Sequence, residues 1–358
     1  MEFVTKKYYF VTNLVLLFLF SIAIIPLYSG LPPGIFSSPF NAFFKGNQSN
    51  VNVTGYQDEL EEALSKASTK DNTVIITVAN KAYVEPHNDQ YPTMFDIFLE
   101  GFWVGEKIRN LLDHLLVVSM DQTAYDRCLF NRLNCYRLVT EGVDFAEEKL
   151  YMSEGFIKMM WARTGLLVDV LKRGYNFIFT DMDIIWLRDP FPILLGPEGV
   201  MLNETDDLQI STDRFNNDPR SIDNAINTGF YHIRSNNKTI TLLETWYDRR
   251  RISNTTKEQD ALRRLIWEGI IRRLGLKVRF LDTLYFSGFC QNSRDVKSVV
   301  TVHSNCCWSI GAKVSDLAIV LRDWRMSMKF RDPAANSSEF QWSPHDFCRK
   351  AREKPPQV

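Results

Sequence analysis

Asp181 and Asp183 stand one residue apart at the end of the apolar run Tyr175 to Thr180. Two carboxylates so placed can share one divalent cation, or divide between that ion and a neighbouring sugar hydroxyl. Hard carboxylate oxygens suit Mg2+ or Mn2+, and such an ion neutralises the charge of a diphosphate leaving group. A plain structural role is also open, with Asp181 capping the following turn and Asp183 at the surface. The apolar Phe177-Ile178-Phe179 argues for chemistry, because carboxylates directly behind a buried run must meet a partner or a solvent-filled cleft. A D-x-D phosphotransferase, with the first Asp as nucleophile, competes with that reading. Its motif carries Thr or Val two places on, where this chain has Ile185.

The elements that carry these groups follow from apolar periodicity. Tyr175 to Thr180 reads as a strand buried on both faces. Before it, Ser153 to Arg173 has helical spacing, with Ser153 as N-cap and Gly174 as the stop. Thr73 to Ala79 is a β-branched run fit for another buried strand, and 92–110 shows helical spacing at Phe95, Phe98, Leu99, Phe102 and Trp103. His114 to Met120 and Cys135 to Thr140 read as strands around a helix at Ala124 to Leu133, and a charged helix at Asp58 to Ala67 leads in. Alternation of this kind predicts an α/β domain with a mixed, mainly parallel sheet flanked by helices. In such sheets functional groups gather at the carboxyl ends of strands, where Asp181 and Asp183 fall.

The 358 residues, 45% hydrophobic and 24% charged, are enough for one large domain or two small ones. Lys plus Arg at 42 against Asp plus Glu at 43 provide no broad positive field for nucleic acid. The apolar stretch 8–28 is long enough, at about 1.5 Å per residue, to cross a hydrocarbon core of about 30 Å as one N-terminal transmembrane helix. Lys6 and Lys7 place the tail 1–7 in the cytosol and the remainder in the lumen. A cleaved signal peptide is the alternative, but the run exceeds an h-region of about 7–15 residues. The Pro-, Gly-, Ser- and Asn-rich segment 29–57 reads as a stem, 58–340 as the lumenal catalytic domain and 341–358 as the C-terminal tail, of which Arg349 to Val358 reads as solvated. Asn-x-Ser/Thr acceptors at Asn47, Asn52, Asn203, Asn237, Asn254 and Asn336 agree with a lumenal placement. Six cysteines suit an oxidising lumen; Cys128 with Cys135 is expected to close a small loop, and Cys290, Cys306 and Cys307 to enter one or two disulfides. Without paired C-x-x-C spacing they do not indicate zinc.

The segment Tyr175 to Phe191 (YNFIFTDMDIIWLRDPF) resembles the core block of plant nucleotide-diphospho-sugar transferases of glycosyltransferase family 77. Further blocks follow in the same order across roughly 72–329, among them Thr77 to Tyr83, Met159 to Arg163, Asn227 to Phe230, Phe280 to Thr283, Ser287 to Cys290 and His303 to Cys307. The resemblance implies a GT-A type (Rossmann-like) fold, a UDP-sugar donor, Mn2+ and retention of anomeric configuration. It implies Asp183 as the main metal ligand, Asp181 as a shared metal and ribose contact, and His303 as the completing ligand. Asn80 is implied as a nucleotide-pocket residue whose amide reads a uracil edge, and Arg163 as a fork on the diphosphate or the acidic pair. Asn227 and Gly229 resemble the loop that receives donor or acceptor sugar. Asp213, Gln259 and Asp260 are candidates for the face near the anomeric carbon, where retention needs a nucleophilic carboxylate or a front-face path. Gln259-Asp260 equally suits the first turn of a helix running to Arg273, where the dipole favours an acid. Two departures from the family pattern are Thr228, where Gly is common, and Lys257-Glu258 in place of His-Asp.

The expectation is a type II Golgi membrane glycosyltransferase that moves a sugar, a pentose by analogy with arabinosyl and xylosyl relatives, from UDP to a cell-wall polysaccharide or glycoprotein. A non-catalytic lumenal scaffold is the alternative, favoured by the two departures and opposed by the intact acidic pair and His303. Trp186, Phe191 and Trp324 read as packing residues rather than sugar platforms.

Overall fold

A computed structural model of the chain describes residues 58–86, 92–140, 145–149, 151–196, 206–252, 255–329 and 341–353. The stretch 8–28 and the stem lie outside these residues. Among the described residues no helix is long and apolar enough to cross a membrane.

Helix α1 (Glu59–Ala67) begins at Asp58, whose side chain accepts from the Glu61 amide, and leads into β1 (Thr73–Ala79). Helix α2 (Met94–Val104) starts in a reciprocal Thr93–Asp96 capping box and runs toward β2 (Leu115–Ser119). Helix α3 (Gln122–Phe130) and β3 (Asn134–Arg137) follow, clasped by the Cys128–Cys135 disulfide. Helix α4 (Glu154–Lys172) has Ser153 as N-cap and ends before Gly174, whose φ of +88° suits a residue without Cβ. Strand β4 (Asn176–Thr180) carries the acidic pair at its end, and β5 (Ile184–Trp186) leaves it. Strands β6 (Leu208–Arg214) and β7 (Ala225–Ile233) form an antiparallel pair, followed by α5 (Asn237–Asp248) and α6 (Glu258–Trp267). Helix α6 does not run on to Arg273: Gly269, in the left-handed region, breaks it before a short turn at Ile270–Leu274. Strands β8 (Val278–Phe280), β9 (Phe286–Gly288) and β10 (Thr301–His303) precede the long α7 (Ile310–Lys329) and α8 (Asp346–Glu353).

The main sheet has the order β3-β2-β1-β4-β7-β6-β8. Among the described residues its only antiparallel pairings are those of β7 with β4 and with β6, so β7 there runs against the rest and the sheet is mixed but parallel-rich. Alternate residues of β1 feed two cores: Ile75 and Ala79 pack with α2 and α7, whereas Val74 and Ile76 pack with α1, α4 and α5. Burial on both faces accounts for the continuous apolar runs of β1, β2 and β4. Trp186 and Trp324 are fully buried in the first core and Phe191 packs against it, as packing residues should.

Residues 341–353 carry a helix docked on the domain, with Arg349, Lys350, Arg352 and Glu353 exposed on it. Helix α8 packs on α7, Cys348 is buried in a disulfide to Cys307, and the carboxylate of Asp316 accepts from the Cys348 amide at 2.7 Å. Cys348 is buried because α7 lies beside it, which no local pattern reveals.

Candidate functional site

The turn after β4 is held from both sides. Trp186 Nε1 donates to Thr180 Oγ1 at 3.1 Å, and the Asp181 amide donates to the Gly229 carbonyl at 2.6 Å. A three-stranded sheet, β5-β10-β9, pairs His303 with Ile184 in antiparallel register and so delivers the imidazole next to Asp183. His303 Nε2 lies 3.2 Å from Asp183 Oδ1, and Ser304 Oγ donates to Asp183 Oδ2 at 3.1 Å. One ligand atom each from Asp181, Asp183 and His303 falls within 4.8 Å of the others.

These residues suit a divalent cation. Two carboxylates and an imidazole are a chemically suitable donor set, and Gly229 keeps the space between them open. A Cβ there would sit 2.5 Å from His303 Cε1 and 2.6 Å from Asp181 Oδ2.

Charges around the pair differ sharply. Arg163, projecting from α4 and 3% exposed, donates to Asp181 Oδ1 at 2.8 Å and to Glu258 Oε1 at 2.7 Å, with its guanidinium over Phe179. Lys313 of α7 donates to Asp183 Oδ2 at 2.7 Å. Burial pushes the Asp181 pKa up, against Arg163 and with Asp183 adding to the rise. At Asp183 burial pushes the same way but is outweighed by Lys313 and His303, which hold this carboxyl well below the usual range.

The pair opens on a cavity of about 290 Å³. Around it the fold gathers most of the residues singled out in the sequence: Asn80 from the end of β1, Arg163, Asp213 from β6, Asn227 from β7, Gln259 from α6, and His303. Gly229 underlies it through its contact with Asp181 and His303. Asn80 Nδ2 donates to the Phe145 carbonyl at 2.7 Å, so Oδ1 is left buried with no hydrogen-bond partner among the described residues. Gln259 Oε1 accepts from the Thr228 amide at 3.1 Å. Asp260 is not brought in: it is exposed on the first turn of α6 and does not line the cavity. The helix-dipole reading of that residue describes its place, since it lies two residues, about 200° around the helix, from the inward-facing Glu258.

Glu258, Lys313, Tyr83 and Asn305 also line the cavity and were not among the site residues expected. Glu258, 3% exposed, accepts from both Arg163 and Thr228 Oγ1, so the unusual Thr228 has its hydroxyl satisfied within the site. The signal for Glu258 in the sequence was its departure, with Lys257, from the family's His-Asp. Lys313, ten residues past His303 in an ordinary helix, carries no local signal. A larger groove of about 910 Å³, lined in part by Asp169, Lys172 and Glu244, carries ion pairs such as Lys172–Glu244 and is not lined by Asp181, Asp183 or His303.

The sequence pattern of the family described as nucleotide-diphospho-sugar transferase matches residues 110–317, more than half of the chain and a span that includes every one of the metal-binding candidates. The chain belongs to that family. It is a glycosyltransferase, and the phosphotransferase reading of Asp181 falls. The transferase is 53% identical over 296 residues to the uncharacterized protein At1g28695 of Arabidopsis thaliana, covering 82% of this chain and 84% of that protein. It is 38% identical over 305 residues to the uncharacterized protein At4g15970 of the same plant, covering 81% and 77%. To the beta-arabinofuranosyltransferase RAY1, also of Arabidopsis thaliana, it is 26% identical over 242 residues, 64% of this chain and 41% of that protein.

Proposed function

We propose that the transferase moves a sugar, a pentose in the first instance, from a UDP-sugar to a glycan or glycoprotein acceptor with retention, using Mn2+ or Mg2+ on a GT-A type fold. In the same reading the chain is a type II protein of the Golgi membrane with its catalytic domain in the lumen. The observation that carries the chemistry is the convergence of Asp181, Asp183 and His303 in a pocket that also holds Arg163 and Lys313. The pentose rests on the similarity to an arabinofuranosyltransferase, and the lumenal placement on the apolar stretch 8–28 and the three disulfides.

When bound by Asp181, Asp183 and His303, the cation supplies charge neutralisation to the departing nucleoside diphosphate. Arg163 keeps Asp181 oriented, since its fork is anchored on Glu258 at the other end. Lys313 offers a second fixed positive charge beside Asp183. Asn80, with Nδ2 committed to Phe145, presents an acceptor and so suits the imide N–H of uracil. Asp213, Asn227 and Gln259 form the wall that the sugars meet.

Calorimetry on the full-length chain tests this: UDP binds in the presence of Mn2+, and Asp183→Ala abolishes that Mn2+-dependent binding. A variant that bound both as well as the parent would remove the metal assignment. A panel of UDP-sugars, assayed for UDP release, then identifies the donor.

A further inference from the structure

In the same cavity as the acidic pair, Asp213 is held in an unusual way. Its Oδ1 accepts from Asn227 Nδ2 and from Asn305 Nδ2, both at 2.8 Å. Its Oδ2 has no hydrogen-bond partner among the described residues, and the side chain is partly exposed to the cavity. Two donors converging on one oxygen fix the plane of a carboxylate that would otherwise rotate, and leave the other oxygen as its free acceptor.

Asn305 is itself locked. Its Oδ1 accepts from the Cys290 amide at 3.0 Å, and Cys290 is joined by a disulfide to Cys306, the residue after Asn305. Opposite stands Gly288, where a Cβ would come within 2.5 Å of Asn305 Oδ1 and 2.7 Å of its Nδ2. Asn305 is 7% exposed, so this amide has little room to turn. A disulfide, a glycine and a backbone amide thus converge on one side chain whose remaining hydrogens point at Asp213.

We propose that Asn305 is a positioning residue that, with Asn227, sets Asp213 to accept a hydrogen bond from a sugar hydroxyl in the cavity. The role rests on the sugar-transfer reading above. Asn305 touches no reacting atom in it; it acts through Asp213, and Cys290–Cys306 keeps it in register. The ligand class is a polyol, because the free carboxylate oxygen is an acceptor and a transferred sugar supplies O–H donors.

The test uses the full-length chain with Mn2+ and the donor found active in the panel, with UDP release as the readout. Asn305→Ala lowers kcat about tenfold, the effect of losing one well-placed hydrogen bond, while Mn2+-dependent UDP affinity changes less than about twofold. In an Asp213→Ala background the same substitution adds no further loss, as coupled residues should behave. Equal losses in both backgrounds, or a fall in UDP affinity matching that in kcat, would make Asn305 a structural residue and overturn the role. An active parent whose Asn305→Ala variant is as fast as itself overturns the role alone. A parent that releases UDP from no donor overturns the sugar-transfer reading and this role with it.

Discussion

At the scale of single residues, the site depends on one missing side chain. Gly229 lies under the triad at distances where a methyl group would overlap His303 Cε1 and Asp181 Oδ2. Gly229→Ala must therefore push one ligand away, a strain of about 1–3 kcal/mol for overpacking. The expected result is Mn2+ binding at least about tenfold weaker by calorimetric titration in the presence of UDP; unchanged affinity would show that the triad tolerates the displacement. Arg163 and Glu258 show the opposite logic. Both are about 4% exposed at the side chain, and neither charge could be buried alone. The ion pair fixes the guanidinium, and the guanidinium fixes Asp181.

At the scale of elements, the C-terminal helix bears on the site more than its distance in sequence suggests. Cys307, one residue after Cys306 and lining the cavity, is tied to Cys348 of α8, and Asp316 of α7 is fully buried against the first amides of that helix. Asp316→Ala leaves those amides without their acceptor and is expected to cost about 1–3 kcal/mol in urea unfolding at neutral pH. A variant as stable as the parent would mean that the Cys307–Cys348 link alone docks α8. Helix α4 is set more locally: Ser153 caps it and Gly174 ends it, so Arg163 is placed by elements that the chain specifies over about twenty residues.

At the scale of the whole molecule, buried imidazoles give the fold an acid limit. His232 sits inside the sheet, where burial first and then Arg234 and Arg279 hold its pKa down at about 3. Burial brings that of His345 down to about 4. An unfolded histidine takes up its proton near pH 6.5. Below that pH the unfolded chain gains protons that the folded chain refuses, so stability falls as pH drops through 6.5, by up to about 1.4 kcal/mol per pH unit for each group. His232→Gln removes one of the two, and its stability should decline less steeply than the parent's between pH 6.5 and 4; parallel declines would mean that His232 is protonated in the folded state.

Much of this architecture was legible in local pattern. The runs of β1, β2 and β4 and the spacing of α4 fall within about a residue of the expected bounds, because burial on two faces or along one helical stripe imposes a short period on the residues themselves. The same reading placed Asp181 and Asp183 at a strand end, and the family resemblance added His303. Tertiary structure alone decided that β7 would enter against the sheet to bring Gly229 under the pair, and that a three-residue strand would set His303 beside Asp183. It also decided that Glu258 rather than Asp260 would face inward, and that Lys313 and Asn305 would reach the cavity. Those placements come from pairings between distant segments and from the Cys290–Cys306 and Cys307–Cys348 disulfides, which the spacing of six cysteines could not assign, although it did point to Cys128–Cys135. Long-range contacts leave no periodic trace in a chain, whereas burial and helix ends do.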